Sequence, residues 1–372
     1  MSTNPRIYLD FNATSPLVLA AREAMIDAIS QTGNPSSIHA EGRRARDRVE
    51  RARTQVAALA GRPREQVVFT SGGTESNALG VWVLAGTAER QGLPRVAVTT
   101  PIEHPSLLGA VRSLEARGWH VRTLPVTSDG AVVVEPLDGV GLVAVSAVNH
   151  ELGTLLDGSV LAAARTAGAL VHVDAVQAAG KLALGSIDAD SLAISAHKIG
   201  GPQGVGAVVL TLEASPIVDG GHQERGRRGG TENTIGIAGF GAAAGAIELV
   251  TWAEVVALGA RIEAGLAGIP GVRIHGSRTP RTGGTINAGF AGARGESIVI
   301  ALDLEGIAAS TGAACTSGTL QPSPVLVALG QAPDEAREAV RFSLGRSTTA
   351  AEIDRVLSVI PAIVARARRH RT

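Results

Sequence analysis

Between about residues 40 and 215, short β-branched runs alternate with helical stretches, and few folds accommodate that alternation. Strands joined through helices need crossover connections, which build a mostly parallel sheet with helices packed on its faces. Strands are expected at 66–70, 96–100, 121–126, 142–148, 170–174, 192–196 and 206–211, and helices at 40–60, 75–88, 106–117 and 160–169. In the first helix Ala45, Val49, Ala52, Val56 and Leu59 fall on one stripe, and Gly61 stands where a left-handed residue would close it. One Ala/Gly-rich helical stretch, 234–266, reads as the connection out of this unit. A smaller mixed pattern follows, with strands at 272–275, 285–290 and 341–344, a helix at 296–304 and a terminal helix. The expectation is an α/β protein. A large domain with a mostly parallel seven-stranded sheet is expected up to a boundary near residue 250, followed by a smaller α+β domain, with the short N-terminal segment able to pack with either unit.

The chain of 372 residues exceeds the size at which a single core stops growing, in agreement with two units. Its 34 basic and 34 acidic side chains balance and aromatics are only 2 %, so neither a phosphate-tracking groove nor a base-stacking platform for nucleic acid is expected. No apolar run is long enough to span a membrane, and the first residues lack the apolar stretch of a signal peptide. Cys315 is the only cysteine, which fits a reducing, cytoplasmic setting and leaves its thiol for packing or reactivity. Of the 34 basic residues 32 are arginine; the lysines are Lys181 and Lys198. Where arginine replaces lysine so freely, a retained lysine marks a place that needs an amine able to lose its proton.

Four stretches carry chemistry. Residues 67–77 (VVFTSGGTESN) place glycines and hydroxyls between a strand and a helix, which suits either an anion site at the helix N-terminus or an ordinary capped turn. At 170–174 a strand ends in Asp174, at the sheet edge where open α/β folds bind ligands. His172 and Asp174 share one strand face, so a metal pair competes with a carboxylate facing a cationic ring nitrogen. No third metal ligand lies nearby in the sequence, and none is expected. Lys198 follows the strand at 192–196 and precedes a glycine-rich run, a setting suited to Schiff-base chemistry, whereas Lys181 in its connection reads as a solvated surface lysine. Cys315 sits among Gly, Ala, Ser and Thr (310–318, STGAACTSG), a composition that favours an exposed, mobile thiol nucleophile.

Together these stretches resemble the cysteine desulfurases of the NifS/IscS type, in the class V aminotransferase branch of the fold type I pyridoxal phosphate (PLP) transferases. The resemblance also rests on residues 8–14 (YLDFNAT), 33–39 (GNPSSIH), 103–105 (EHP), 221–226 (GHQERG), 230–233 (GTEN) and 341–346 (RFSLGR). It implies that Lys198 binds PLP, that Asp174 salt-bridges the pyridinium nitrogen, that Gln177 bonds the phenolate oxygen and that His104 stacks on the ring. Gly73, Thr74, Ser195 and His197 would bind the phosphate, with Thr231 reaching in from a second subunit of a homodimer. Arg341 would clamp the carboxylate of L-cysteine with Asn34 nearby, and Lys198, His104 and Cys315 would be the catalytic residues. The sulfur would leave as a persulfide on Cys315 for an acceptor protein, such as an iron–sulfur scaffold or a thio-modification enzyme, with L-alanine as product. Two departures stand out. His150 replaces the second Asn of Val-Asn-Asn-Glu at a position that contacts the cofactor ring, and Gly229 stands where Ser is usual in Arg-Ser-Gly-Thr. A selenocysteine lyase or another class V aminotransferase shares the same frame, as would a catalytically silent scaffold subunit; the cysteine loop sets the first reading apart.

Overall fold

The computed structural model describes residues 6–213, 218–312 and 321–369. Its strands are β1 (Ile7–Tyr8), β2 (Val67–Thr70), β3 (Val96–Thr99), β4 (His120–Thr123), β5 (Leu142–Ser146), β6 (Leu170–Asp174), β7 (Ser191–Ser195), β8 (Gly206–Leu210), β9 (Val272–His275), β10 (Thr285–Phe290), β11 (Ile307–Ala308) and β12 (Ala339–Ser343). Seven form one sheet in the order β2-β8-β7-β6-β5-β3-β4. Strands β4, β3, β5, β6 and β7 are mutually parallel, and β8 runs against both β7 and β2. Consequently β2, β3, β5, β6 and β7 all finish at one edge, which collects Thr70, Thr99, Ser146, Asp174 and Ser195. Helices cover both faces, so β2, β7 and β8 are buried along their whole length, as their uninterrupted apolar runs require.

The helix Ala40–Ala60 buries the predicted stripe, and Gly61 closes it at φ 62°. The stretch 234–266 is not one helix. Thr234–Gly245 and Trp252–Ala267 are separate helices with a sharp bend of 71° between them. The break lets each serve a different core. Phe240 and Ala243 pack under the large sheet, whereas Trp252, Val255 and Ile262 join the core around the three-stranded sheet β12-β10-β9. Gly241 holds the first helix tightly against Ala40–Ala60, since a Cβ there would come within 2.4 Å of the Ala52 Cα. The two-residue strands β1 and β11 pair in parallel; runs so short leave no periodicity to read in a sequence.

A buried ion pair fixes the turn that leads to Thr231. Glu224 and Arg225 both adopt left-handed backbone, at φ 48° and 60°, which is strained for residues other than glycine. Arg53 grips the Glu224 carboxylate through two bonds of 2.6 and 2.9 Å, and the same carboxylate accepts the Phe69 N–H of β2 at 2.9 Å. Arg53→Leu would leave Glu224 buried without its cation, so a loss of about 3–5 kcal/mol in unfolding free energy is expected by denaturant titration. Wild-type stability in that variant would contradict the role given to the pair.

Glu103 is a second buried carboxylate, accepting from Thr100 Oγ1 at 2.8 Å and from the Ser146 N–H at 2.9 Å. Burial raises its pKa to about 7. A carboxyl whose affinity for protons rises on folding stabilises the native state below its unfolded pKa, and that contribution is lost as pH rises toward 7. Thermal melts of wild type and Glu103→Gln should therefore converge at low pH and separate in favour of the Gln variant between about pH 4.5 and 7. A difference that stays constant with pH would refute this.

Candidate active site

The strand ends of the large sheet open into a cavity of about 350 Å³, a size suited to a small cofactor with its substrate. Gly73, Thr74, His104, His150, Asp174, Gln177, Ser195, His197, Lys198 and Arg341 all line it. The fold accounts for each position. Asp174 ends β6, Ser195 ends β7 with His197 and Lys198 in the turn after it, and Gly73 and Thr74 open the helix Gly73–Arg90 directly after β2. Arg341 comes from β12 of the other sheet and closes the cavity from the opposite side.

At Asp174 one carboxylate oxygen accepts the Asn77 amide at 2.7 Å and the other the Val176 N–H at 2.9 Å. The Asn77 oxygen bonds His172 Nε2 at 3.0 Å, and Ser191 Oγ meets its Nδ1 at 3.0 Å. Burial pushes the His172 pKa down to about 3, so the ring stays neutral. His172 and Asp174, the pair that competed as metal ligands, are thus both engaged by Asn77.

Lys198 Nζ donates to the carbonyls of Asn12 at 2.5 Å and Ala13 at 2.8 Å. His104 caps the helix Pro105–Arg112 through Nδ1, which accepts the Ser106 N–H at 3.1 Å. Its ring meets the edge of the His150 ring at 5.1 Å. Burial lowers the pKa of both imidazoles; Asp174 partly offsets this at His104, while His104, Arg341 and Lys198 lower His150 further. His197, 3.3 Å from Thr14 Oγ1, is pushed down to about 4 by burial and by Lys198. The imidazoles are therefore neutral near pH 7, and Lys198 and Arg341 supply the positive field opposite Asp174. Arg341 is buried; one arm donates to Asp10 at 2.8 Å and another to the His150 carbonyl at 3.1 Å.

Two of the expected residues are not brought to this cavity. Asn34 is exposed, its side-chain oxygen accepting the Ser36 N–H, and Thr231 is exposed next to Gly230 at φ 105°. Cys315 lies outside the described residues; Gly312, three positions earlier, lines the cavity.

Lys181 is a correction. It is not a solvated surface lysine: its Nζ donates to Gln177 Oε1 at 3.0 Å and to Asn12 Oδ1 at 3.2 Å, and burial with the nearby cations Lys198, Arg341 and Arg346 lowers its pKa to about 7. Asn77 and Asn12 were also missed as site residues, although both fall in the stretches that carry the family resemblance. Their signal was an amide next to chemistry, which a sequence cannot orient.

The donor set fits PLP. It offers an amine for the aldehyde, a carboxylate for the ring nitrogen, a neutral imidazole for the ring face, and a helix N-terminus with hydroxyls for the phosphate. Gly73 lets that N-terminus pack closely, since a Cβ there would meet Val176 at 3.0 Å.

The family model for aminotransferase class-V matches residues 7–356. A cysteine desulfurase of Nostoc sp. is 40 % identical over 97 % of this chain and 94 % of its own length. An IscS-like cysteine desulfurase of Mycobacterium tuberculosis is 40 % identical over 97 % of each. Among solved structures, a NifS-like protein superposes with a TM-score of 0.87 at 33 % identity over 97 % of this chain and 99 % of its own. A protein described as SspA in complex with cysteine gives 0.79 at 27 % identity, over 92 % and 100 %. With its fold, its cavity and these likenesses in agreement, the chain belongs to the class V aminotransferase family of PLP-dependent enzymes.

Proposed function

We propose that this protein is a cysteine desulfurase, which takes sulfur from L-cysteine, leaves L-alanine and carries the sulfur as a persulfide on Cys315. The observation that carries the reading is the convergence of Lys198, Asp174, His104 and Arg341 on one cavity, in a chain 40 % identical to curated cysteine desulfurases. Bound PLP supplies an electron sink for the negative charge that develops at the substrate Cα. Lys198 would hold the cofactor aldehyde, and its Nζ would then take the proton from that Cα. Asp174, oriented by Asn77 and Val176, would face the ring nitrogen, and neutral His104 would lie on the ring as a catalytic residue. Gln177 would donate to the phenolate oxygen, His150 would flank the ring beside His104, and Gly73, Thr74, Ser195 and His197 would take the phosphate.

Arg341, preset by Asp10 and the His150 carbonyl, would bind the substrate carboxylate as a fork, with Asn34 as a further contact. The Cys315 thiolate would form a bond to the substrate sulfur as the Cβ–S bond breaks. The electron pair of that bond stays with the carbon skeleton, and a proton completes L-alanine. Exposed Thr231 lies off this chain's own cavity, which supports a homodimer in which it serves the partner's phosphate site. The lone cysteine supports a reducing, cytoplasmic setting, and the persulfide would pass to an acceptor protein, for iron–sulfur assembly or thio-modification. The packing of Ile7 and Leu9 with Trp252 and Phe342 supports a division near residue 250, with residues 1–11 joining the C-terminal unit.

Lys198→Ala should abolish both the visible band of bound PLP and alanine release from cysteine. Cys315→Ser should keep the band and lose desulfuration; retained turnover would remove the persulfide role. Arg341→Lys, which replaces a fork by a point charge, should raise KM for cysteine about tenfold or more with smaller change in kcat. A KM equal to wild type would rule out the carboxylate clamp.

A further inference from the structure

Only two lysines survive among 34 basic residues, and both end beside the same carbonyl-lined segment. Lys198 has an evident use. Lys181 has none in the reaction above, yet its surroundings are specific. It sits four positions after Gln177 in the turn that follows β6, half-buried, with its Nζ 5.5 Å from the centre of the Trp252 ring. The Arg346 guanidinium lies 5.5 Å from the same ring, so the space beneath Lys181 is already taken by a cation. Its two acceptors are both side-chain carboxamide oxygens, Gln177 Oε1 and Asn12 Oδ1.

Each acceptance leaves one way round for an amide that could otherwise turn over. With its oxygen toward Lys181, Gln177 places its NH₂ near the Asn12 main-chain carbonyl, at 3.0 Å, the same carbonyl that receives Lys198. With its oxygen likewise engaged, Asn12 sends its NH₂ to Thr285 Oγ1 at 2.9 Å and the His150 carbonyl at 3.1 Å. One compact tetrahedral donor can serve two oxygens on separate segments in so narrow a space. A planar guanidinium cannot, which accounts for a lysine here in a chain that otherwise uses arginine.

We propose that Lys181 is a positioning residue that fixes the Gln177 and Asn12 carboxamides, so that Gln177 presents its NH₂ and not its oxygen to the PLP cavity. The inference rests on the PLP reading above and adds a residue to it. A donor facing an anionic ring oxygen favours the charged form, and an acceptor in its place repels it.

The test is a double-mutant cycle on PLP-loaded protein, following the PLP dissociation constant and the pH midpoint of the visible band for wild type, Lys181→Met, Gln177→Ala and the double variant. Lys181→Met should weaken PLP about tenfold, the size of one hydrogen bond to a charged group, and move the midpoint. In the Gln177→Ala background the same change should alter affinity less than about twofold. Lys181→Arg, which keeps the charge, should behave like Met and so separate geometry from field. Wild-type affinity in Lys181→Met, full rescue by Arg, or an undiminished loss in the Gln177→Ala background would overturn the proposal. Lys181→Gln carries the same cycle should the Met variant fail to fold. Failure of wild type to bind PLP would instead remove the cofactor reading itself.

Discussion

The bonds from Lys198 Nζ to the main-chain carbonyls of Asn12 and Ala13 fix the amine at the edge of the large sheet, and most of the site follows from how that segment is held. The Asn12 carbonyl also receives the Gln177 amide, so one main-chain oxygen sets two side chains that line the cavity. Asp174 is held in place by Asn77 and the Val176 N–H. Asn12 can play its part because it is itself pinned from the other unit: its N–H donates to Ser343 Oγ on β12 and its side chain to Thr285 on β10. The segment 10–14 therefore ties the small sheet to the cavity at the edge of the large one.

The same logic organises the charges. Lys198 and Arg341 both line the cavity, Arg341 paired with Asp10, and the imidazoles beside them are driven neutral by burial. Such a field suits a phosphorylated cofactor and a carboxylate substrate together. It also gives His150 a definite character. Where the family pattern has an amide, this chain places a neutral ring against the edge of His104 and uses its own main-chain carbonyl to hold Arg341.

Much of the fold was legible because the central parallel strands are buried on both faces and read as apolar runs, each ended by a polar residue that the topology gathers at one edge. Asp174 and Lys198 were legible for that reason. The continuous helix at 234–266 was not, because alanine and glycine carry no periodicity strong enough to show that one half faces one core and the other half another. Lys181 was misread since its neighbours in sequence are small and its partners, Asn12 and Trp252, are distant along the chain. Asn34 and Thr231 were named from the resemblance alone, and within one chain the cavity is built without them.

Two lysines lie near the cofactor cavity, and Lys198 is the one assigned to bond the cofactor. After PLP loading and borohydride reduction, peptide mapping by mass spectrometry should place the pyridoxyl group on Lys198 and leave Lys181 unmodified. A pyridoxyl group on Lys181, or on neither lysine, would contradict it.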